Sequence, residues 1–281
     1  MTGRFQGKVA GVSGANSPAG IGFAIARELL KEGACVFICG SNEAKVKNAE
    51  SLLKEFGNVK GYAVDISDEN QVHAMFEDAV NTFGRLDYFV SNAGMYPQKL
   101  LMDMSVEEWD RVMAVNLRSA FICAKECYKH MKDGGAIVQS ESYAEVIPSA
   151  GSGAYAASKS AMMSLTRTLA SELAPYNIRV NGIVPGVIET DLTAPVIATN
   201  HDRMIPRLRW DGLARRKTLP RLRCSCSVMM RLILLAHALR SAAASLPFRT
   251  AHIRTRLKPN AKAEQLSEQI HIPGKPGIFL L

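Results

Sequence analysis

Residues 8–22 read KVAGVSGANSPAGIG, a short apolar run followed by a glycine-rich turn. The run at residues 8–13 has the length and composition of a buried strand, and residues 21–31 after the turn have the pattern of a helix. Glycines in such a turn permit a tight reversal and close approach of the backbone to a pyrophosphate at the helix N-terminus. A glycine-rich turn can also simply connect a strand to a helix. Its place after the first strand of the chain favours a dinucleotide-binding site.

Strand and helix alternate through the chain as far as about residue 190. Further strands are predicted at residues 35–39, 62–66, 86–91, 136–142 and 179–184, and long helices at residues 106–128 and 155–174. This alternation predicts an α/β fold, a Rossmann-like doubly wound parallel sheet with helices on both faces. A length of 281 residues is enough for one such domain with an appendage.

The carboxyl ends of the predicted strands carry residues that suit a bound dinucleotide. The second strand ends at Gly40 and Ser41, where an NAD site usually has an acidic residue. Without a carboxylate to repel a 2′-phosphate, this position favours NADP(H), although it also lacks an Arg. The third strand ends at Asp65 and Ile66, and Asp65 either bonds an adenine edge or caps the following helix. The fourth is followed by Asn-Ala-Gly at residues 92–94, small residues that suit a cofactor crevice.

A second constellation lies further along the chain, where Tyr155 and Lys159 are four residues apart in a predicted helix. Residues at i and i+4 share one face of a helix, so both side chains can reach one site. A phenol titrates near ~10, and an adjacent ammonium favours the phenolate and lowers that pKa. One alternative is a solvent-facing pair on a surface helix. In an active site, the pair would carry proton transfer at neutral pH.

Taken together, these motifs resemble the short-chain dehydrogenase/reductase family over about residues 5–205. The resemblance implies four catalytic residues: Asn116, Ser142, Tyr155 and Lys159. The cofactor contacts that it implies are Ser13, Gly14, Ser17, Gly20, Ile21, Gly22, Gly40, Ser41, Asp65, Ile66, Asn92, Ala93, Gly94, Tyr155, Lys159, Pro185, Gly186, Ile188 and Thr190.

The resemblance also implies a role for each catalytic residue. Tyr155 would pass a proton to or from the substrate oxygen, while Ser142 hydrogen-bonds that oxygen. Lys159 would lower the pKa of Tyr155 and bond the nicotinamide ribose, and Asn116 would hold a water in the proton relay. The nicotinamide of NADP(H) or NAD(H) would carry the hydride. The implied substrate is a carbonyl or secondary alcohol, as for 3-oxoacyl-thioester reductases or general carbonyl reductases.

The chain departs from the family pattern at two places. Five residues rather than three separate Gly14 from Gly20, a form found in a subset with a Ser-Pro insertion. Glu141 precedes Ser142 where the family usually has a small residue. A related enoyl-thioester reductase group also has long turns, but it spaces its Tyr and Lys more widely than this chain. The spacing therefore disfavours that group.

The composition changes sharply after about residue 205. Residues 1–200 carry a net charge of −4, whereas residues 201–281 carry +12. The tail predicts either a nucleic-acid-binding arm on a protein with impaired catalysis or a shifted reading frame. Read out of frame, residues 213–220 can encode GPEEDVA and residues 227–236 SDDASYITG, as the family has in this region. This match favours the frame shift, and an intron or a sequencing artefact would have the same effect. The chain then has a catalytic domain at 1–205 and a divergent basic tail at 206–281.

An out-of-frame tail has physical consequences. The last strand of the sheet would be missing or altered, leaving an exposed sheet edge. The proline and arginine content of the tail predicts poor order. The chain is therefore expected to be destabilised and weakly active or inactive. The family resemblance implies a homo-oligomer, which the altered tail puts in question.

Other function classes find little support in the composition. No uncharged apolar run reaches the ~20 residues of a membrane span, and the N-terminus lacks the apolar core of a signal peptide. The six cysteines show no zinc-binding pattern, which predicts no metal site and a reduced, cytoplasmic protein. The expected partner is a small-molecule carbonyl or alcohol substrate, with no membrane and no nucleic acid.

Overall fold

The computed structural model describes residues 3–145, 148–185, 188, 190–194 and 278–279. Within them, six strands run parallel: β1 (Val9–Ser13), β2 (Cys35–Gly40), β3 (Val59–Ala63), β4 (Tyr88–Ser91), β5 (Gly135–Ser140) and β6 (Ile178–Pro185). A two-residue strand, β7 (Ile278–Phe279), pairs antiparallel with the end of β6.

Helices connect the parallel strands. They are α1 (Ile21–Lys31), α2 (Glu43–Leu53), α3 (Glu69–Phe83), α4 (Val106–Met113), α5 (Ser119–His130) and α6 (Gly153–Leu173). None of the helices in the described part of the chain is long and apolar enough to cross a membrane.

The strand order is β3-β2-β1-β4-β5-β6-β7. The chain moves outward from β1 to β3 and then returns to the other side of β1 with β4. The order therefore reverses between β1 and β4, which opens a crevice at their carboxyl ends where ligands of such sheets bind. The predicted doubly wound parallel sheet is confirmed, and the two residues described near the end of the chain add a short antiparallel strand.

The core consists of two apolar layers, one on each face of the sheet. Alternate residues of each strand point to opposite faces, so Val36 and Phe37 of β2 enter different layers. One layer packs against α1 and α2 through residues such as Leu29. The other packs against α3, α5 and α6, where Phe76 and Leu169 are buried. The sheet is thus covered on both faces, and its carboxyl edge remains to form a site.

The structure differs from the predicted elements in two informative places. The predicted helix 106–128 is interrupted by a π-helical turn, Ala114–Arg118, between α4 and α5. The third strand was predicted at 62–66 but is Val59–Ala63, because its pairing with β2 ends at Gly40 and Ala63. Asp65 and Ile66 therefore lie in the loop after the strand rather than in it.

Candidate active site

The turn between β1 and α1 packs directly against the residues that follow β4. Gly14 has φ +65°, and a Cβ there would lie 2.7 Å from the Cα of Ala93. A Cβ on Gly22 would lie 2.6 Å from both the Asn92 Nδ2 and the Gly14 carbonyl oxygen. Only glycine therefore allows the turn, the helix and the β4 loop to approach so closely.

Hydrogen bonds hold the carboxyl ends of three strands together around this turn. The Ser13 hydroxyl accepts from the backbone N–H groups of Asn92 at 2.9 Å and Ala93 at 3.0 Å. The Asn92 amide donates to the Ser13 and Gly14 carbonyls, each at 3.1 Å. Ser140 of β5 donates to the Asn92 Oδ1 at 3.3 Å. These bonds fix the floor of the crevice at the point where the strand order reverses.

The N-terminus of α1 opens onto this crevice. Gly20 is its N-cap, and no side chain caps the first turn. The first backbone N–H groups of the helix, at Ile21 and Gly22, are therefore available to an anion. Ser17 in the preceding turn donates to Asp191 at 2.7 Å, which ties the turn to the loop after β6.

The prediction for Gly22→Ala follows from this packing. We expect the variant to lose about 2 kcal/mol of unfolding free energy and at least about tenfold in dinucleotide affinity, because the new Cβ meets backbone that cannot move freely. Gly84→Ala is the matched control, since Gly84 has φ +81° but no atom within 4 Å of its Cβ position. The control should lose about 1 kcal/mol and keep its affinity. Denaturant unfolding measures the unfolding free energy, and fluorescence titration with NADPH measures the affinity. Equal losses in the Gly22→Ala and Gly84→Ala variants would contradict the steric explanation.

The end of β2 has a packing requirement of its own. A Cβ on Gly40 would lie 2.5 Å from the Cγ of Asn16 in the glycine-rich turn. Ser41 beyond it is exposed. Asn42 caps α2 by accepting from the Lys45 backbone N–H at 2.9 Å. Packing against Asn16 therefore disfavours any side chain at position 40, an acidic one included.

Asp65 lies in a small polar cluster beyond β3. Its carboxylate accepts from the Ser67 N–H at 3.0 Å, the Ser67 hydroxyl at 2.7 Å and Arg111 at 3.0 Å. Burial alone would raise the pKa of Asp65, but these hydrogen bonds outweigh it and lower the pKa. The helix-cap alternative is wrong, because Asp68 caps α3. Arg111 on α4 was not singled out from the sequence, since nothing in its local pattern distinguishes it from a surface arginine.

Asn116 lies in the π-helical turn and is fully buried. Its Oδ1 accepts from the Met95 N–H at 2.8 Å, and its Nδ2 donates to the Met95 carbonyl at 3.0 Å and to the Ser158 hydroxyl at 3.0 Å. Ser158 in turn donates to the Tyr155 carbonyl at 2.7 Å. The π turn therefore directs Asn116 inward, where it joins the β4 loop to the helix that carries Tyr155.

Tyr155 and Lys159 lie in α6, on the side that faces the carboxyl end of β5. The Ser142 side chain lies near the Tyr155 phenol, and the centroid of the Tyr96 ring lies 4.5 Å from that of the Tyr155 ring. Burial raises the pKa of Tyr155, and the nearby Ser142 hydroxyl opposes that rise. The net shift of the Tyr155 pKa is upward.

Lys159 is almost completely buried, at 4% exposure. Its Nζ donates to the Ser140 carbonyl at 2.5 Å and lies 5.8 Å from the centroid of the Tyr155 ring. Burial lowers the pKa of Lys159 to about 8, while the charges of Glu141 and Glu145 oppose the fall. Lys159 is therefore buried and Tyr155 partly buried, so the two do not form a solvent-facing pair on a surface helix.

The remaining predicted contacts lie at and beyond the end of β6. Pro185 is the last residue of that strand. Thr190 forms a local turn in which its backbone N–H donates to the Thr193 hydroxyl at 2.9 Å, and Thr193 donates to the Ile188 carbonyl at 2.5 Å. Gly186 lies outside the described residues.

Glu145 is a titratable residue next to the Tyr155 site, at the start of a stretch, residues 145–151, that the sequence marked as substrate-selecting. Burial raises its pKa to about 7, the charge of Glu141 adds to the rise, and the Ser142 N–H opposes it. Its Oε1 is buried without a hydrogen-bond partner among the described residues. The pKa of Glu145 is thus higher in the folded state than in the unfolded state. Loss of its proton therefore destabilises the fold as the pH rises from about 4.5 through about 7.

Glu145→Gln should remove this pH dependence. Near pH 5 the wild-type carboxyl is protonated, so we expect equal melting temperatures. At pH 8.5 the variant should melt about 2 °C higher, a modest gain because the side chain is partly exposed. Glu55→Gln, at an exposed carboxyl, is the control and should show no such pH-dependent gain. Thermal melts across this range provide the measurement, and a gain that is equal at both pH values would contradict the assignment.

The sequence matches known protein families over most of its described part. A family profile described as Enoyl-(Acyl carrier protein) reductase matches residues 14–216. The 3-oxoacyl-[acyl-carrier-protein] reductase FabG of Thermotoga maritima is 37% identical over 196 residues, which cover 68% of this chain and 78% of the relative. Dehydrogenase/reductase SDR family member 4 of Caenorhabditis elegans is 38% identical over 195 residues, which cover 68% and 74%.

Solved structures show the same similarity. A short-chain type dehydrogenase/reductase from Mycobacterium marinum has a TM-score of 0.69 at 30% identity, covering 72% of this chain and 81% of its own. A short chain dehydrogenase from Mycobacterium smegmatis has a TM-score of 0.63 at 33% identity, covering 66% and 80%. The parallel sheet and its flanking helices are therefore shared with these proteins.

Proposed function

The chain belongs to the short-chain dehydrogenase/reductase family, and from this membership we propose that it transfers a hydride between a nicotinamide cofactor and a carbonyl or secondary alcohol. One observation carries the proposal for this chain. Tyr155, with Ser142 near its phenol, lies beside the buried ammonium of Lys159 at the carboxyl edge of the sheet. This arrangement places a proton donor and acceptor next to a fixed positive charge in a low-dielectric site.

A nicotinamide dinucleotide fits the residues of the β1–α1 turn. Gly14 and Gly22 let the turn, α1 and the loop after β4 pack closely, and no side chain caps the N-terminus of α1, so its first N–H groups are free to bind an anion. This combination suits a pyrophosphate, because the backbone supplies both the donors and the positive end of the helix dipole. When bound, the cofactor supplies or accepts the hydride.

Tyr155 would transfer the proton that accompanies hydride transfer. In the direction of reduction, its phenol O–H donates to the substrate oxygen, while Ser142 donates a second hydrogen bond to that oxygen. The phenolate that remains is stabilised by the charge of Lys159, whose Nζ lies 5.8 Å from the ring centroid. Asn116 positions the site through Met95 and Ser158, and its part in a water relay stays a prediction.

NADP(H) is the cofactor that we favour. The end of β2 has Gly40 and exposed Ser41 in place of a carboxylate that would repel a 2′-phosphate, and Lys45 follows in the first turn of α2. The preference should be modest because the segment contains no Arg. Comparing kcat/KM for NADPH and NADH measures it directly.

For the substrate, we favour a 3-oxoacyl thioester or a related ketone. The FabG relatives of Thermotoga maritima and Aquifex aeolicus carry the name 3-oxoacyl-[acyl-carrier-protein] reductase, and a relative from Mediterraneibacter gnavus is named 3alpha-hydroxysteroid dehydrogenase. Reduction of a carbon–carbon double bond, suggested by the description of the matched profile, is the less favoured alternative because Tyr155 and Lys159 are only four residues apart.

A cofactor-oxidation screen tests the proposed function. NADPH is supplied with 3-oxoacyl thioesters, steroid ketones, sugars and small ketones in separate reactions, using both the chain as it stands and a chain restored to the alternative reading frame after about residue 205. We expect carbonyl-dependent oxidation of NADPH. If neither chain oxidises NADPH with any carbonyl compound, the proposed function is wrong.

We propose that the chain divides into a catalytic domain at residues 1–205 and a divergent tail at residues 206–281. The boundary and almost all of the tail lie outside the described residues. The change of net charge after residue 200 supports the division. We also propose a cytoplasmic location, because the free cysteines among the described residues suit a reducing compartment, and a homo-oligomer once the reading frame is restored.

A further inference from the structure

Glu141 is a buried carboxyl at the carboxyl end of β5, directly before Ser142. It is only 4% exposed, and its backbone N–H donates to the Ile183 carbonyl of β6 at 2.8 Å. A Cβ on Gly182 would lie 2.2 Å from the Glu141 Oε1. The Glu141 carboxyl group therefore lies against Gly182, where any side chain at position 182 would collide with it. This packing holds the carboxyl group inside the fold.

A hydroxyl group on α6 orients this carboxyl group. Thr166 of α6 donates to the Glu141 Oε1 at 2.7 Å and is itself buried. Thr166 is seven residues after Lys159, so the two lie on one face of α6, two turns apart. The hydrogen bond thus joins Glu141 to the helix face that carries Lys159.

Lys159 requires a counter-charge because it is buried. A buried ammonium is stable only when it is paired or hydrogen-bonded. Its Nζ donates to the carbonyl of Ser140, whose carbon is bonded to the backbone nitrogen of Glu141. Glu141 is thus the next residue along the chain from the lysine's own acceptor. Its carboxylate lies beyond ion-pair distance of the Lys159 Nζ and acts on it through space, more strongly than that of Glu145.

We propose that Glu141 is a positioning residue whose buried carboxylate is the counter-charge that keeps the Lys159 ammonium charged. The proposal rests on the proposed function of the same site. The proposal adds the Glu141 carboxylate to the groups that act on Lys159 and Tyr155. At position 141 the sequence resemblance leads one to expect a small side chain.

The groups that face this pair among the described residues come from several elements. Glu145 follows β5, Arg167 is exposed on α6, and Tyr155 lies one turn before Lys159. Burial raises the pKa of Glu141, while the Thr166 hydrogen bond and the charges of Lys159 and Arg167 oppose the rise. Glu141 and Lys159 thus stabilise each other's charged forms. Without Glu141, burial would lower the pKa of Lys159 further below about 8, and the ammonium would lose its proton nearer neutral pH.

The test is a direct titration of Lys159 in the full chain without cofactor. Lysine labelled with ¹³C at Cε gives an NMR signal whose chemical shift follows protonation, and the Lys159→Met variant assigns it. We expect Glu141→Gln, which keeps the shape but removes the charge, to lower the Lys159 midpoint by about 1 pH unit. Glu141→Asp, which keeps the charge, should restore at least half of that shift. Glu172→Gln, at an exposed carboxyl further along α6, is the matched charge control and should leave the midpoint unchanged.

Thr166→Val provides a second test should Glu141→Gln fail to fold. Removing the hydroxyl raises the pKa of Glu141, so the Lys159 midpoint should fall, though by less than in Glu141→Gln. A folded Glu141→Gln protein with an unchanged Lys159 midpoint would overturn the proposal. An unchanged midpoint in Thr166→Val would overturn it where the first variant is unfolded. The titration does not depend on turnover, so a failed substrate screen would count against the proposed function alone.

Discussion

Tyr155→Phe is expected to lower kcat by about 10³-fold while changing cofactor affinity by no more than about twofold. The variant removes one oxygen atom and keeps the ring, which packs at 4.5 Å from Tyr96. Proton transfer to or from the substrate oxygen is lost. Ser142 can still donate a hydrogen bond to that oxygen, but its hydroxyl is too weak an acid to replace the phenol. Steady-state kinetics in the frame-restored chain and NADPH fluorescence titration separate the two effects.

Tyr176→Phe is the matched control for this prediction. Tyr176 is 53% exposed and lies against Tyr128, after the end of α6, so its hydroxyl is remote from Ser142. The control should retain full turnover. Turnover of Tyr155→Phe within about threefold of the parent would show that another group transfers the proton, and the assigned role would have to be abandoned.

The second large effect is expected from restoring the alternative reading frame after about residue 205. We expect the restored chain to melt roughly 10 °C higher than the present chain and to turn over at least about 100-fold faster. The physical reason lies at β6. Six residues of this strand, Ile178 to Ile183, pair with β5 on one edge, whereas within the described residues the other edge pairs only at Val184 and Pro185. A full strand there would satisfy the remaining backbone groups and remove an aggregation-prone edge.

Differential scanning calorimetry and the cofactor-oxidation assay compare the present and restored chains. A chain ending at residue 205 is the control, since it removes the tail without supplying a strand. It should resemble the present chain rather than the restored one. An unbroken frame in the transcript, together with cooperative unfolding and full turnover of the present chain, would refute the frame-shift hypothesis.

The sequence predicted the fold well because its strongest signals are local. The glycine-rich turn at residues 14–22 and the alternation of strands and helices depend on neighbouring residues only, and the sheet has the expected parallel order. Strand ends were less predictable. The end of β3 depends on where β2 stops pairing, which is a property of a partner strand 20 residues or more away in sequence.

The candidate site was predicted in part for the same reason. The four-residue separation of Tyr155 and Lys159 is visible in any helix, and so is a serine at the end of a strand. The π-helical turn around Asn116 was missed, because it depends on bonds to Met95 and Ser158 that no local pattern encodes. Arg111 at the Asp65 cluster was missed for the same cause.

The sequence by itself thus determined the sheet type, the glycine turn and the residues that resemble a catalytic set, since each of these depends on residue type and short spacing. Only the tertiary structure decided the electrostatics of the site. Burial lowers the pKa of Lys159 to about 8 and raises that of Glu145 to about 7, and packing encloses Glu141 with Thr166 as its donor. Desolvation depends on everything packed around a group, including strands and helices distant in sequence, so it exists only once the chain has folded.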